Sequence, residues 1–344
     1  MKQIPLIILT LFIVSCAGFG ISGHWLGLLT IVIIAVAGVA VFSRVLARFA
    51  LDRKAKLNLV NYFDYETEHS WPDFRAAAAR LNARRKTWTM TANDGLHLEA
   101  GYRPGRPASH DWVILCHGYG DDAPDGMAKY AQPYIEAGWN ILTPAARAHG
   151  KSEGRYIGMG WPERFDICGW MEKIREFDPE ASIVLHGVSM GGATVLNAAG
   201  ERPQGLRAVV ADCAFTGIRE EFAAQARALF GLPSFPVLDI ASVFAGKWIG
   251  TSLKVTSTTR QTAKIQVPVL FVHGAKDAFV PFEMLDQNFS ACRAPKAKLV
   301  IADAAHANSV FKDPGYGEKV MQFLGRVQCG EDVTSMFEEE PVQQ

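Results

Sequence analysis

The sequence predicts an α/β fold with a mainly parallel central sheet, and three observations carry that prediction. Short apolar segments typical of buried strands alternate with helix-forming segments along most of the chain, an order that places helices on both faces of a parallel sheet. Residues 187–191 read Gly-Val-Ser-Met-Gly between such a strand and such a helix. An aspartate and a histidine follow two later strands, at the sheet edge where ligands bind in this class of fold.

Length and charge limit the function classes. The 344 residues are enough for one large domain with appended segments. Lysine and arginine number 35, against 35 aspartates and glutamates, so we expect no nucleic-acid partner. The six cysteines show neither C-x-x-C spacing nor a histidine at metal-ligand spacing; they are Cys16, Cys116, Cys168, Cys213, Cys292 and Cys329. We therefore expect reduced core thiols, with no metal and no organic cofactor.

The N-terminus is apolar enough to cross a membrane. No charged residue stands between Lys2 and Arg44, and apolar runs cover about 4–19 and 25–42. Some forty residues at ~1.5 Å each give about 60 Å of helix, enough for two passes through a hydrocarbon core of ~30 Å. A cluster of basic residues follows the second run, and such clusters stay on the cytoplasmic side. Residues 1–43 are thus predicted to form a transmembrane hairpin in the cell membrane, with the main domain in the cytoplasm.

Two alternatives remain open, and the first of them places the domain outside. Ile13-Val14-Ser15-Cys16 after a short basic start resembles a lipoprotein signal, with Cys16 lipidated. A cleaved signal peptide followed by one span is the other alternative. The hairpin is favoured because a lipoprotein has no use for the second apolar run.

Residues 44–85 are predicted to be an amphipathic connector. The segment 75–81 is rich in helix formers, and Pro72 suits the first turn of a helix there. This connector either lies on the lipid headgroups or covers the catalytic domain.

The segment 86–328 carries the sheet. Asn93-Asp94-Gly95 predicts a hairpin between strands at 86–90 and 96–102. Further strands are predicted at 112–116, 139–143, 182–188, 206–212, 267–273 and 299–301, with helices at 126–137, 161–177 and 317–327 between and after them. The last residues, 329–344, form a polar, acidic tail.

The strand pattern pauses between residues 215 and 262. This insertion is rich in aromatic and aliphatic residues, interrupted by Pro233 and Pro236. We predict a helical cap over an apolar acyl pocket; the alternative is ordinary packing of helices on the sheet.

Gly187-Val188-Ser189-Met190-Gly191 fits G-x-S-x-G, the sharp strand-to-helix turn that exposes a nucleophilic serine above a sheet. Ser189 needs a base and an anion that orients the base. Asp277 and His306 each follow a strand, and the order Ser, Asp, His suits this architecture. Asp212 and Asp303 are rival partners for His306, but Asp303 is too close along the chain to approach the far ring nitrogen.

The oxyanion of an acyl-transfer intermediate needs two preorganised N–H donors. The backbone N–H of Met190, directly after the nucleophile, is predicted to be one. The second comes from the loop after Cys116, and we assign it to Tyr119. His117 either shapes that loop or is a hydrogen-bonded buried histidine.

These motifs, with the loop Arg147-Ala148-His149-Gly150-Lys151-Ser152-Glu153-Gly154, resemble the α/β-hydrolase superfamily over residues 86–327. The membrane-anchored branch, similar to serine aminopeptidase-like and BEM46-like hydrolases, matches best. Relatives usually carry an aspartate before the arginine loop, whereas Thr143-Pro144-Ala145-Ala146 stands here. That difference puts the usual anchoring of the loop in question, but not the triad.

The sequence therefore predicts a serine hydrolase that cleaves a small-molecule acyl ester through an acyl-Ser189 intermediate. His306 acts as base and then as acid, and Asp277 holds its tautomer. An aminopeptidase or amidase on the same fold is the alternative among enzymes. A catalytically inactive, membrane-tethered binding protein is the alternative outside them.

Overall fold

The computed structural model describes residues 24–55, 73–120 and 125–337. The first apolar run, with Cys16, lies outside these residues, as do residues 338–344 of the tail. Of the residues on which the hairpin and lipoprotein predictions rest, the structure therefore describes only those of the second apolar run.

Strands and helices alternate through the domain. The strands are β1 (Lys86–Thr91), β2 (His97–Arg103), β3 (Asp111–Cys116), β4 (Asn140–Pro144), β5 (Ser182–Val188), β6 (Leu206–Asp212), β7 (Val269–Gly274) and β8 (Lys296–Ile301). The helices are α1 (His24–Leu51), α2 (Phe74–Asn82), α3 (Ala128–Glu136), α4 (Glu163–Phe177), α5 (Met190–Gly200), α6 (Ile218–Phe230), α7 (Val237–Ile249), α8 (Thr258–Thr262), α9 (Glu283–Ala291), α10 (Ser309–Lys312) and α11 (Tyr316–Cys329). The predicted strands and helices are all present, with ends shifted by up to three residues.

The eight strands form one sheet in the order β1-β2-β4-β3-β5-β6-β7-β8. The predicted hairpin is present, because β1 pairs antiparallel with β2. Strand β2 is also antiparallel to β4, and the remaining strands are parallel. The predicted fold class is confirmed.

Helices cover both faces of the sheet, which explains why its central strands are apolar without alternation. In β3, Val113 and Leu115 face the core layer under α3 and α11. Trp112 and Ile114 face the opposite layer, under α4 and α5. All four side chains are fully buried.

Helix α1 extends the second apolar run. Its 25-residue segment Gly27–Leu51 is long and apolar enough to cross a membrane, about 38 Å at ~1.5 Å per residue. Among the described residues it is the one helix that meets this test. Its large apolar side chains from Trp25 to Val45 are mostly exposed.

The end of α1 is built into the catalytic domain. The helix continues past the predicted boundary at residue 43, because Ser43, Ala47 and Leu51 form a buried stripe at four-residue spacing. The Leu51 carbonyl oxygen accepts a hydrogen bond of 2.8 Å from the N–H of Ile157. The next residue, Asp52, pairs with Tyr156 in an antiparallel bridge. Residues 51–53 are thus part of the domain, not of a free connector.

The predicted cap divides into two parts. Helix α6 borders a cavity that Ser189 also lines, with Phe222 and Leu229 in its wall. Helix α7 packs instead against α1, and its Trp248 stacks on Tyr156 with ring centroids 5.2 Å apart. Some apolar residues of the insertion therefore line the cavity, and others pack against α1. Phe235, which the prediction counted with the cap, is 74% exposed.

The first part of the predicted tail belongs to the core. Helix α11 ends at Cys329, where Gly330 adopts a left-handed conformation with φ 69°. Val333 and Met336 then fold back and pack into the core layer under α11.

Candidate active site

Ser189 lies in the turn between β5 and α5 with φ 56° and ψ −117°. This conformation is strained for a residue with a side chain. A Cβ on Gly187 would lie 2.1 Å from the carbonyl oxygen of Gly191, and a Cβ on Gly191 would lie 2.0 Å from that of Cys116. Both positions therefore require glycine, which is the physical reason for the G-x-S-x-G pattern.

The structure brings Ser189, His306 and Asp277 together. His306 Nε2 lies 2.8 Å from Ser189 Oγ. His306 Nδ1 lies 2.8 Å from Asp277 Oδ2. When the Nδ1–H of His306 donates to Asp277, Nε2 carries no proton and can accept the proton of the serine. The three residues follow β5, β7 and β8, whose carboxyl ends meet at one edge of the sheet.

Asp277 is held as a carboxylate by four groups. Its Oδ1 accepts hydrogen bonds of 2.9 Å from the backbone N–H groups of Phe279 and Val280. Its Oδ2 lies 3.3 Å from His273 Nε2 as well as facing His306. Burial raises the pKa of Asp277, but the charge of a protonated His306 and hydrogen bonds from His273 and His306 outweigh it and lower the pKa to about 2.

The two rival carboxylates are engaged elsewhere. Asp212 accepts a 3.0 Å hydrogen bond from Ser309 Oγ, and burial raises its pKa to about 6. The Asp303 side chain is 78% exposed and forms a 2.6 Å ion pair with Lys276. Neither carboxylate orients His306.

Tyr119 and Met190, the predicted oxyanion donors, line the same cavity as Ser189. Met190 is the first residue of α5, where a backbone N–H has no partner within the helix. The Tyr119 side chain is fixed by a 2.9 Å hydrogen bond from its hydroxyl to the carbonyl oxygen of Ala50. Both N–H groups thus belong to segments that flank the nucleophile.

Two histidines hold the loop after β3 in place. His117 donates from Nδ1 to the carbonyl oxygen of Gly118 at 2.7 Å and accepts at Nε2 from the N–H of Ala146 at 3.1 Å. His149 accepts at Nε2 from the N–H of Gly120, also at 3.1 Å. Both interpretations of His117 fit the structure, because the side chain is buried with both ring nitrogens hydrogen-bonded and these bonds hold the loop.

The arginine loop is anchored without the aspartate that relatives carry. Arg147 forms a two-point ion pair with Asp166, at 2.9 and 2.7 Å. A third contact, of 2.6 Å, joins it to Asp94 in the β1–β2 turn. Ser152 Oγ donates to the carbonyl oxygen of Ala145 at 2.7 Å. These contacts stabilise the loop across Thr143-Pro144-Ala145-Ala146.

Ser189 lines a cavity of about 310 Å³. Most of its wall is apolar: Ala50, Met159, Phe215, Phe222, Leu229 and Phe279. Lys276, Glu221 and Gln225 also line it. Ala50 comes from the last turn of α1, so the N-terminal helix contributes directly to the wall.

One group near the triad has the composition of a metal site. Ligand atoms of Cys213, Asp277 and His306 lie within 4.8 Å of one another. Burial raises the pKa of the Cys213 thiol well above its usual value, which keeps the sulfur protonated. A metal there would also have to replace one of the two hydrogen bonds of His306, so this donor set fits the triad better than an ion.

Sequence reasoning missed three polar residues of this region. His273, beside Asp277, is the penultimate residue of β7 and resembles any buried strand residue. Glu221 and Gln225 lie four residues apart on α6. That spacing on one helix face was the available signal.

Comparison with known proteins supports the same fold. Residues 111–253 match the profile of a family described as the alpha/beta hydrolase fold. The uncharacterized protein YqkD of Bacillus subtilis (strain 168) is 30% identical over 227 residues, which is 65% of this chain and 74% of YqkD.

Two solved structures are similar in fold. The Pyrococcus furiosus esterase Pf2001 matches with a TM-score of 0.58 at 24% identity, covering 70% of this chain and 91% of its own. The Pyrococcus horikoshii acylaminoacyl peptidase matches with a TM-score of 0.55 at 17% identity, covering 74% of this chain and 43% of the peptidase. The resemblance to serine aminopeptidase-like and BEM46-like hydrolases stays a prediction. By its sheet, its profile match and its similarity to YqkD, the chain belongs to the α/β-hydrolase superfamily.

Proposed function

We propose that this protein is a serine hydrolase that cleaves a carboxylic ester through an acyl-Ser189 intermediate. The observation that carries the proposal is the hydrogen-bond chain from Asp277 through His306 to Ser189 Oγ. This chain ends in a largely apolar cavity. A nucleophile hydrogen-bonded to a base, which is hydrogen-bonded in turn to an orienting carboxylate, serves acyl transfer on several unrelated folds.

In the acylation step, Ser189 Oγ attacks the ester carbonyl while His306 Nε2 takes its proton. The carbonyl oxygen becomes an oxyanion, which the N–H groups of Met190 and Tyr119 stabilise. His306 then gives the proton to the departing alkoxide, and the alcohol leaves. Water, deprotonated by His306, attacks the acyl-serine in turn, releasing the acid and restoring Ser189. No other group has to supply or remove electrons.

An ester is favoured over an amide because an alkoxide departs more readily than an amide nitrogen. The same residues serve an amidase or aminopeptidase, so a screen should contain both substrate types. We would compare methyl and p-nitrophenyl esters with the matching anilides and aminoacyl anilides. Turnover of the esters at the higher kcat/KM supports the proposal. Faster turnover of the amides contradicts it.

Labelling with a fluorophosphonate probe separates an enzyme from an inactive binding protein. We expect the probe to attach to Ser189, which peptide mass spectrometry can locate, and Ser189→Ala to abolish labelling. Ser182→Ala, at the opposite end of β5, is the control and should label normally. A wild-type protein that stays unlabelled under the same conditions would contradict the proposal.

We also place α1 across a membrane, with the catalytic domain on the cytoplasmic face. Support comes from its exposed apolar side chains and from the basic residues Arg44 and Arg48 in its last turns and Arg53 and Lys54 just after it. With the apolar run at 4–19, this arrangement forms the predicted hairpin. A lipoprotein or a signal-anchored form, with the domain outside, is the alternative.

A further inference from the structure

Two polar side chains of α6 face the otherwise largely apolar cavity. Glu221 and Gln225 are four residues apart, on one face of the helix, and both line the cavity with Ser189. Glu221 is 2% exposed. They lie among Phe222, Leu229 and Phe279, which we assign to the acyl chain.

Hydrogen bonds fix the orientation of this pair. Gln225 Nε2 donates to Glu221 Oε1 at 3.0 Å and to the carbonyl oxygen of Phe279. A carbonyl oxygen can only accept, so the amide nitrogen must be the atom on that side. The amide oxygen of Gln225 therefore points the other way.

One oxygen of each side chain is left without a partner. Glu221 Oε2 and Gln225 Oε1 are both buried, and neither has a hydrogen-bond partner in the structure as described. Buried polar atoms in this state destabilise a protein, since they lose water and gain nothing in return. Apolar residues here would give a more stable cap, so the pair has the character of a binding site.

The protonation of Glu221 indicates which ligand. Burial raises the pKa of Glu221, the hydrogen bond from Gln225 lowers it, and the charge of Asp277 raises it further. The resulting pKa is about 8. The carboxyl is thus mainly protonated near neutral pH. Its Oε1 already accepts a hydrogen bond, which leaves the proton on Oε2. The pair thus offers one donor, Glu221 Oε2–H, and one acceptor, Gln225 Oε1, both buried in the wall of the cavity.

We propose that Glu221 and Gln225 form a subsite that binds a hydroxyl group on the acyl chain of the substrate. A hydroxyl both accepts and donates, so it satisfies the two orphaned oxygens together without burying a charge. An ammonium group fits less well, because it cannot accept from Glu221 and because the cavity wall already contains the Lys276 side chain. The inference rests on the proposed esterase function and adds a substrate class, esters of hydroxylated fatty acids.

The test compares methyl octanoate with its 3-, 6-, 7- and 8-hydroxy derivatives, which do not cyclise readily. Acid release measures kcat/KM for each ester. We expect at least one hydroxylated ester to exceed methyl octanoate by about tenfold in the wild-type enzyme, as two hydrogen bonds permit. If methyl octanoate is hydrolysed and every hydroxylated ester is hydrolysed equally well or more poorly, the inference is wrong.

Variants connect the preference to the pair. Glu221→Met and Gln225→Met should each bring the ratio of hydroxylated to plain ester close to one. Glu221→Gln keeps a donor and an acceptor and should retain most of the preference. Glu220→Met, at the exposed neighbouring position of α6, is the control and should leave the ratio unchanged. A preference that survives Glu221→Met, or an amino-substituted ester that exceeds the hydroxylated one, would refute the hydroxyl assignment.

A binding measurement separates this inference from the esterase proposal. Ser189→Ala removes turnover and allows Kd values for the same esters to be measured. Tighter binding of a hydroxylated ester, by about tenfold, supports the subsite even if the wild-type enzyme hydrolyses none of the series, an outcome that would refute only the esterase function. Equal Kd values would refute the subsite even if all the esters are hydrolysed.

Discussion

The hydroxyl of Tyr119 donates a 2.9 Å hydrogen bond to the carbonyl oxygen of Ala50, joining the loop that we assign to the oxyanion with the last turn of α1. The donor residue and the acceptor residue both line the cavity. The position of the Tyr119 backbone therefore depends on a helix that lies outside the sequence motifs around Ser189, Asp277 and His306.

Tyr119→Phe should lower kcat about three- to tenfold, the effect of one hydrogen bond expressed in the transition state. The variant keeps the backbone N–H of residue 119, so the lower kcat would reflect a displacement of that N–H. KM should change less, because the ring stays in the cavity wall. Steady-state kinetics on one ester measures both constants. Tyr156→Phe, which leaves the stacking on Trp248 in place, is the control. Equal kcat values for Tyr119→Phe and wild type would show that the contact has no part in catalysis.

Truncations should distinguish the two parts of α1. A chain that begins at Ser43 keeps the buried stripe and the Asp52 ion pair with Arg155, at 3.0 Å, so it should fold and remain active. A chain that begins at Lys56 loses the burial of Leu51, worth about 1.5–3 kcal/mol, and opens the cavity wall at Ala50. Thermal unfolding and ester turnover measure the difference. Equal stability and activity of the two truncations would show that the end of α1 is a simple tether.

Asp277→Asn should reduce kcat by about 10³- to 10⁴-fold. The amide can donate to His306 Nδ1, which leaves the proton on Nε2 and prevents that atom from accepting the serine proton. Asp303→Asn is the matched control, because that carboxylate pairs with Lys276 at the surface. Ester hydrolysis under saturating substrate measures both. A larger loss in Asp303→Asn than in Asp277→Asn would reverse the assignment.

Stability should decrease as pH rises, in part because of Glu221. Its pKa is about 8 in the folded state, against 4.5 ordinarily, so the folded state holds a proton that the unfolded chain releases. The resulting stabilisation is complete below about pH 4.5 and is lost as pH rises through about 8. Glu163, with a pKa raised by burial to about 7, acts in the same direction.

Melting temperatures of wild type and Glu221→Gln, measured at about pH 5 and about pH 8, test this effect. The variant stays neutral and should lose fewer degrees between the two conditions. Asp277 and Gln225, whose contacts also act on Glu221, are unchanged in the comparison, as are Lys276 and His306 in the cavity wall. Parallel declines in the two proteins would contradict the prediction.

The exposed thiol of Cys329 reports which side of the membrane the domain occupies. For a cytoplasmic domain, a membrane-impermeant maleimide should leave Cys329 unlabelled in intact cells and label it after permeabilisation. Cys329→Ser is the control for the assignment of the label. Labelling in intact cells would place the domain outside.

The triad could be predicted from sequence because each of its residues follows a strand and therefore lies at one edge of the sheet. Ser189 was also marked by the glycines on either side of it, since a Cβ added at either position would collide with the backbone. His273 could not be found in this way, since a histidine within a buried strand looks the same whether or not it touches Asp277.

The subsite and the end of α1 escaped prediction for different reasons. Glu221 and Gln225 lie on a helix that has other charged residues, so their burial depends on tertiary packing, which a helical pattern does not specify. In α1, Arg44 and Arg48 interrupt the apolar run and suggested a boundary. The helix continues because the stripe of Ser43, Ala47 and Leu51 packs inward.

Ala50 belongs both to the cavity wall and to the last turn of α1, about 9 Å along the helix from Arg44. Arginines at such a helix end stay at headgroup level. If α1 crosses a membrane as proposed, a catalytic centre attached there meets a lipid-soluble ester by diffusion in a plane instead of through a volume. Its rate then follows the mole fraction of substrate among the surrounding lipids, and adding inert lipid slows the enzyme even when the total amount of substrate is unchanged.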